Sequence, residues 1–324
     1  EIPFDPLRYG MPPASLSSIE PMHLLTLEAV RAAIEDAGYH DREFPRERTA
    51  VVLGAGGGAA QLAMGYALRS YLPLLDTVMP GAGTAALKEC GPRLPEWTED
   101  SFPGILLNVA AGRVANRFDL GGANYTVDAA CGSSLAAAAL AVRELESGAA
   151  DVVILGGADP VQNPFTYLAF SKTHAFSPRG RCRPSDASAD GIVISEAVAV
   201  VVLKRLRDAE RDGDRIYAVI KGLGASSDGR AKGLTAPRSE GQVRALRRAY
   251  NKAGVDPASV GYVEAHGTGT AAGDAAEIEA LNEVFGGAGA AHGQCAVGSV
   301  KSLIGHTKCA AGLAGLINAT LALH

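Results

Sequence analysis

Three residues of this sequence, one cysteine and two histidines, have neighbours and positions that suit nucleophilic chemistry. Cys131 lies between a β-rich run, residues 125–130, and a long alanine-rich stretch with helical character. Its sulfur is therefore expected at a helix N-terminus, where the helix dipole and free N–H groups stabilise a thiolate. Such a thiolate is a nucleophile, although a cysteine among alanines is more often a small buried residue.

The two histidines favour catalysis over that simpler interpretation. His266 follows a predicted strand in the run 264–270 (EAHGTGT), and His306 lies in a loop that mirrors the Cys131 loop in the second half of the chain. If the halves pack about a pseudo-twofold axis, these loops converge. A cysteine with two imidazoles fits acyl transfer, because a neutral histidine can donate its Nε2–H to a developing oxyanion or enolate.

Two further residues lie close to His306 in the sequence. Lys301, five residues earlier, could orient or polarise the same site, although an isolated lysine is usually a surface charge. The spacing of His306 and Cys309 resembles a pair of metal ligands. No second pair accompanies it, so we expect no metal site.

A glycine-rich run offers a different chemistry. Residues 54–58 (GAGGG) follow the β run 49–53, and glycines there would let backbone N–H groups approach a pyrophosphate. Asp76 lies roughly at the distance of a ribose-binding acid. The strict GxGxxG pattern is absent, so a tight turn is the simpler interpretation. A Rossmann-type NAD(P)-binding oxidoreductase is kept as the alternative enzyme.

The elements that must position these residues recur in the two halves of the chain. A helix over 18–37, capped by Ser18, precedes the strand 49–53, and a helix over 242–253 precedes the strand 261–265. Each half continues with a second strand, a loop and a helix of small residues. Recurrence at this scale predicts two similar α/β units with their small-residue helices sandwiched between sheets, in a layered α-β-α-β-α arrangement.

The predicted division of the chain follows this repeat. The first half, 1–215, contains the nucleophile loop and a long irregular excursion at about 80–103, where proline and glycine are frequent. The second half, 216–324, contains the two candidate catalytic histidines, His266 and His306.

Composition excludes several classes of protein. The 324 residues carry a formal net charge of −5 and are 47% apolar, which disfavours nucleic-acid binding and disorder. The five cysteines form no CxxC pair and no apolar run is long enough to cross a bilayer, so we expect a reduced, cytoplasmic protein. The chain starts at Glu1 without a leader, which favours a piece of a longer polypeptide.

Three motifs carry a resemblance to a known family. Residues 127–135 (VDAACGSSL), 264–270 and 300–312 (VKSLIGHTKCAAG) are similar to the three signatures of β-ketoacyl synthases, the thiolase-fold condensing domains of polyketide and fatty-acid synthases. The resemblance spans nearly the whole chain, including 177–182 (SPRGRC). It implies an α/β thiolase fold, with the family's first strand before this chain and its last strands after it. An oxyanion-hole donor would lie in those last strands, which leaves the activity of the isolated stretch open.

The resemblance also implies a reaction, a decarboxylative Claisen condensation. Cys131 would take the growing acyl chain from a carrier-protein thioester, and His266 and His306 would stabilise the enolate formed when a malonyl extender loses carbon dioxide. Lys301 would support His306. Two threonines would line the phosphopantetheine channel, namely Thr268 and Thr270. No cofactor would bind directly, and the partners would be an acyl carrier protein, neighbouring synthase domains and a second copy of the chain, paired along the strand 124–128.

Within the family, three stretches look most like the iterative type I synthases that make enediyne polyenes, with polyunsaturated fatty-acid synthases next. These stretches are 95–97 (PEW), 102–112 (FPGILLNVAAG) and 161–164 (VQNP). Two positions depart from the family pattern: Ser185 stands where relatives usually have Phe, and Lys308 where many modular relatives carry an acid. A non-catalytic interaction module of a synthase is the alternative outside enzymes, and the intact cysteine and histidine set disfavours it.

Overall fold

The structure is a computed structural model that describes residues 2–56, 60–230, 233 and 236–324. The described strands are β1 Thr49–Ala55, β2 Asn124–Val127, β3 Val152–Asp159, β4 Ala197–Lys204, β5 Tyr262–Glu264 and β6 Ala296–Gly298. The described helices are α1 Pro21–Asp36, α2 Gln61–Tyr71, α3 Ala82–Cys90, α4 Ser101–Ile105, α5 Leu107–Phe118, α6 Ser133–Glu146, α7 Pro164–Lys172, α8 Leu206–Asp212, α9 Ser239–Ala253, α10 Ala271–Gly287, α11 Lys301–Ile304 and α12 Ala311–Leu323.

The first sheet has four described strands in the order β2-β1-β3-β4. β1 pairs in parallel with both β2 and β3, while β4 runs antiparallel to β3. Every residue of β1 and β3 is buried, as expected of continuous apolar strands that are covered on both faces. β2, which leads to the nucleophile loop, lies at the edge of this sheet.

The second sheet consists of β5 and β6, paired in parallel, and is separated from the first by helices. Helices α1 and α5 cover the outer face of the first sheet, and α6 and α12 cover its inner face. Helix α12 also packs on β5, and α9 and α10 form the outer layer beyond the second sheet. The five predicted layers, α-β-α-β-α, are therefore confirmed.

The central helices approach the first sheet closely because their facing residues are small. Ala137, Ala138 and Ala141 of α6 are buried against the sheet. A Cβ on Gly54 would come within 2.5 Å of the Ser133 carbonyl carbon, so only glycine at this position of β1 lets the start of α6 lie here. This contact sets the position of the nucleophile loop, which immediately precedes α6.

Two local predictions were wrong. Ser18 does not cap the first helix: its hydroxyl hydrogen-bonds to that of Thr98, and α1 begins at Pro21, whose fixed φ suits a first helical turn. The stretch 80–103 is not a continuous irregular excursion, because it contains α3 and the start of α4. Asp76 precedes α3 in the chain and caps this helix. Its carboxylate accepts hydrogen bonds from the N–H groups of Gly83 and Thr84 at distances of 2.5 and 3.2 Å.

No helix in the described part of the chain is both long enough and apolar enough to cross a membrane.

Candidate active site

Cys131 lies in a tight 3-10 turn, Ala130–Gly132, directly before α6. The Asp128 carboxylate accepts the N–H of Ala130 at 2.9 Å, and the Ser133 hydroxyl donates to the Ala130 carbonyl at 2.6 Å. Ala130 has a left-handed backbone with φ of 50°. These bonds hold the strained turn at the helix N-terminus, where the sequence placed the sulfur.

The prediction that this position lowers the pKa of the thiol was wrong in direction. Burial raises the pKa of Cys131 above its usual value, and the positive charge of Lys301 opposes this rise without cancelling it. Removal of the thiol from water outweighs the favourable charge, because a buried thiolate loses its hydration. The resting nucleophile is therefore mostly a thiol at neutral pH.

His266 follows β5 by two residues, and its backbone is clamped by a carboxylate. Glu277 of α10 accepts the N–H of His266 at 2.6 Å and the N–H of Gly267 at 2.8 Å. The side chain keeps contact with solvent, yet the surrounding protein lowers the pKa of His266 to about 4, with the charge of Lys301 adding to the effect. The ring is therefore neutral at physiological pH.

His306 is buried and its tautomer is defined. Its Nδ1 accepts the backbone N–H of Lys308 at 3.0 Å, so the neutral ring carries its proton on Nε2. Burial is the main cause that lowers the pKa of His306 to about 3, and the nearby His266, Lys301 and Lys308 contribute to the same shift. This is the neutral Nε2–H donor that the sequence led us to expect.

The structure brings the predicted nucleophile, both imidazoles and the lysine together. The rings of His266 and His306 lie edge to face with centroids 5.4 Å apart. The Lys301 charge acts on Cys131 and on both histidines. Burial lowers the pKa of Lys301, while Glu277 and Glu264 raise it. The cluster can thus hold a thiol, a buried cation and two neutral hydrogen-bond donors around one small space.

Thr268 and Thr270 lie on the same loop as His266. Their hydroxyls are hydrogen-bonded to each other at 3.0 Å, and Thr270 immediately precedes α10. Both are partly buried at the end of the second sheet.

Sequence reasoning missed the carboxylates that hold these loops. Asp274 accepts the N–H of Ser185 at 2.8 Å and that of Gly269 at 3.2 Å, and Glu277 clamps His266. The signal was available: acids at positions i and i+3 of the helix that follows a glycine-rich loop lie on one face and can accept the loop's N–H groups. Asp159 was also missed, since it is the last residue of an otherwise apolar strand.

Comparison with known proteins agrees with this geometry along the whole chain. The family model "Beta-ketoacyl synthase, N-terminal domain" matches residues 2–209, and "Beta-ketoacyl synthase, C-terminal domain" matches residues 217–324. The chain belongs to the β-ketoacyl synthase family. The enzymes of this family are condensing acyltransferases, and the fold described above is their thiolase-like α/β fold.

Individual relatives of this ketosynthase chain are large synthases. It is 42% identical to a polyunsaturated fatty acid synthase of Thraustochytrium sp., over 100% of this chain and 12% of the relative. It is 38% identical to the mycocerosic acid synthase-like polyketide synthase of Mycolicibacterium smegmatis, over 99% of this chain and 14% of the relative. The chain therefore spans about an eighth to a seventh of the length of these relatives.

A solved structure supports the fold. The ketosynthase from module 6 of the bacillaene synthase of Bacillus subtilis 168 superposes with a TM-score of 0.82 at 35% identity, covering 98% of this chain and 50% of that one. The chain is therefore a ketosynthase of the kind found in type I polyketide and polyunsaturated fatty acid synthases.

The glycine run that suggested a dinucleotide site has a packing role in this ketosynthase chain. Gly54 admits α6, and a Cβ on Gly56 would lie 2.8 Å from the Cys309 sulfur. Asp76 caps a helix rather than reaching toward a ligand. Gly57 and Gly58 lie outside the described residues. The family match and these contacts replace the Rossmann interpretation.

An apolar cavity lies at the ends of strands β1 and β3 in this ketosynthase chain. The cavity has a volume of about 100 Å³, and Gly56 and Asp159 form part of its wall. Its other lining residues include Met22, Ala63, Ile105, Leu107 and Val161.

Within the described part of the chain, no group of three or more His, Cys, Asp or Glu side chains is arranged to hold a metal ion.

Proposed function

We propose that this chain is the condensing unit of a multidomain synthase and catalyses decarboxylative Claisen condensation between a cysteine-bound acyl chain and a malonyl extender. One observation carries the proposal: a partly buried cysteine at a helix N-terminus shares its site with two neutral imidazoles, one of them fixed as an Nε2–H donor.

The first half-reaction is acyl transfer to Cys131. The thiol loses its proton, its sulfur attacks the carrier-bound thioester carbonyl, and the carrier's phosphopantetheine thiol leaves with a proton. Burial raises the pKa of Cys131, and the buried charge of Lys301 is the largest of the effects that favour the thiolate.

The second half-reaction begins on the malonyl group. Cleavage of its bond to the carboxylate releases carbon dioxide and leaves the electron pair as an enolate, whose oxygen accepts hydrogen bonds from His266 and His306. The donors act in the transition state because charge develops there. The enolate carbon then attacks the acyl carbonyl on Cys131, the new carbon–carbon bond forms, and the thiolate leaves and regains a proton.

The surroundings of the cluster fit the two substrates. The apolar cavity bounded by Gly56 and Val161 would take the growing acyl chain, because its lining is mostly apolar. Thr268 and Thr270 would line the approach of the phosphopantetheine arm. The partners would be an acyl carrier protein, neighbouring synthase domains and a second copy of the chain, and no cofactor would bind to the chain directly.

Two classes of product fit a synthase with this condensing unit. The stretches at 95–97, 102–112 and 161–164 favour an iterative synthase of the enediyne polyene type. The 42% identity to a polyunsaturated fatty acid synthase favours the second candidate. Product analysis of the full-length protein with malonyl substrate separates them: a conjugated polyene supports the first, and a fatty acid with isolated double bonds supports the second.

The reaction itself is tested by supplying the full-length protein with acyl- and malonyl-carrier protein. A β-ketoacyl product made by the wild type and not by Cys131→Ala is the expected result. If Cys131→Ala made the product at the wild-type rate, or if the wild type hydrolysed the acyl group without forming a carbon–carbon bond, the proposal would be wrong.

A further inference from the structure

A buried ion pair lies beside the catalytic cluster without a part in the reaction described above. The Lys308 Nζ lies 3.1 Å from Oδ1 of Asp159, and both side chains are only 8% exposed. The same ammonium donates to the Ser195 carbonyl at 2.8 Å. Opposite charges this deeply buried are costly to desolvate, so the pair is a poor means of adding stability.

The backbone of Lys308 is as unusual as its side chain. It has a left-handed conformation with φ of 50°, which a lysine rarely adopts and which costs free energy unless the surroundings hold it. In that conformation its N–H points at Nδ1 of His306, 3.0 Å away. The two side-chain bonds to Asp159 and Ser195 are what hold the residue in place.

The turn that begins at Lys308 also touches the nucleophile. Residues Lys308–Ala310 form a 3-10 turn that packs against the Ala130–Gly132 turn and against the end of β3. Asp159 is the last residue of β3 and lies in the wall of the apolar cavity. The ion pair therefore joins the end of β3 to the loop that carries His306. The turn that begins at Lys308 extends this connection to the turn of Cys131.

We propose that Lys308 and Asp159 are a positioning pair of the condensation site: their ion pair locks the left-handed turn whose N–H holds His306 as the Nε2–H tautomer, and their opposite charges offset each other beside Cys131. This assignment rests on the proposed function for its kinetic consequence, but its electrostatic consequence can be measured without condensation.

The charges around Cys131 support the proposal that Lys308 and Asp159 offset each other there. Lys308 and Lys301 lower the pKa of Cys131, while Asp159 raises it. The same two lysines and His266 lower the pKa of His306. Removal of one member of the pair should therefore leave an uncompensated charge of known sign next to the thiol.

Four variants of the full-length protein test the pair: Asp159→Asn, Lys308→Met, the double variant, and Lys204→Met as the matched control. Lys204 also forms an ion pair, with Asp214 at 2.7 Å and side chains 10% and 11% exposed, but lies on β4, the last strand of the first sheet. The first measurement is the pH midpoint of Cys131 alkylation by iodoacetamide, followed on the Cys131 peptide by mass spectrometry. The second is carbon dioxide release from malonyl-carrier protein.

Asp159→Asn should move the alkylation midpoint down and Lys308→Met should move it up, each by roughly one pH unit, because one buried charge remains. The double variant should return close to the wild-type midpoint. It should nevertheless release carbon dioxide at least tenfold more slowly, since the lock on His306 is gone. Lys204→Met should change neither quantity.

Midpoints that move in the same direction in both single variants, or that do not move, would overturn the charge balance. Decarboxylation at the wild-type rate in the double variant would overturn the positioning role. If Lys308→Met does not fold, Asp159→Asn and the double variant still decide both points, because replacement of both partners leaves no unpaired buried charge. Failure of the proposed function is distinguishable, since it would appear as a wild type that neither condenses nor decarboxylates.

Discussion

The imidazole rings of His266 and His306 lie edge to face with their centroids 5.4 Å apart. Two charged rings at this distance would repel each other, and the pKa values of about 4 and about 3 show that both rings are neutral at physiological pH. The site therefore offers two donors without a net imidazolium charge. The only buried cation that acts on both rings and on Cys131 alike, among the described residues, is Lys301.

Lys301 should control the pH dependence of the nucleophile. In Lys301→Met the positive charge that lowers the pKa of Cys131 is lost, so the midpoint of Cys131 alkylation should rise by roughly one pH unit. Lys252→Met, at an exposed position of α9, is the control and should leave the midpoint unchanged. An unchanged midpoint in Lys301→Met would show that Lys301 does not act on the thiol.

The Glu277 carboxylate should be needed to hold His266 in place. Glu277→Gln keeps the size of the side chain but replaces a carboxylate that accepts two N–H groups with an amide that has a single acceptor oxygen. Loss of one charge-assisted hydrogen bond should slow carbon dioxide release about tenfold, equivalent to ~1.4 kcal/mol. Glu279→Gln, exposed on the same helix, should retain the wild-type rate. Equal rates in the two variants would remove Glu277 from the site.

The sequence predicted much of this architecture because the signals were local and periodic. The layering followed from the repeated strand–loop–helix order, and the small residues of α6, such as Ala137 and Ala141, predicted its sandwiched position. The direction of the Cys131 pKa was not predictable from the sequence. Helix dipole and burial act on a thiol in opposite directions, and the depth of burial is a property of the packed structure.

Contacts between distant parts of the chain also could not be predicted from the sequence. The Asp274–Ser185 hydrogen bond joins residues 89 positions apart, and the Asp159–Lys308 pair joins residues about 150 positions apart. No periodicity marks such pairs. The Ser18 cap was wrong for a related reason, since a proline three residues later competes for the start of the helix, and tertiary contact with Thr98 uses the hydroxyl elsewhere.

His23 should make the fold sensitive to mild acid. This histidine is buried in α1, and burial lowers its pKa to about 4, with the charge of Arg113 adding to the effect. Since the pKa of an unfolded histidine is about 6.5, the unfolded state binds the proton first, and stability is lost as the pH falls from about 6.5 to 4. The cost should reach about 3 kcal/mol at pH 4.

Urea unfolding between pH 7 and pH 4 measures this effect. In His23→Gln, which does not titrate, the free energy of unfolding should fall less steeply over that range than in the wild type. His40→Gln, at an exposed position just after α1, should behave like the wild type. If the wild type and His23→Gln had the same slope, protonation of His23 would not contribute to acid unfolding.

The edge strand β2 is the expected site of pairing between two copies of the chain. It lies at the end of the strand order β2-β1-β3-β4, and continuation of the sheet across a twofold axis would satisfy its backbone groups. Light scattering of the full-length protein should give a dimer, and Thr126→Lys, which places a charge on that edge, should weaken it. Ala149→Lys, in an exposed turn after α6, is the matched control. A stable wild-type monomer would refute this assembly.

In the proposed reaction, Cys131 holds the acyl chain while the two histidines act on the malonyl group. Replacement of His306 by alanine removes a donor to the enolate, which typically costs about 2.7 to 4 kcal/mol of barrier, or roughly 10²–10³ in rate. Loading of Cys131 should remain largely intact, because that step forms no enolate. Cys131→Ala should show the opposite pattern, with condensation lost and decarboxylation retained.

The most direct measurement follows both half-reactions in His306→Ala of the full-length protein. Labelled acyl groups report the loading of Cys131, and carbon dioxide release from malonyl-carrier protein reports the histidine step. Near-normal loading is expected, with carbon dioxide release slowed by roughly 10²–10³. Abolished loading together with carbon dioxide release at the wild-type rate would contradict it.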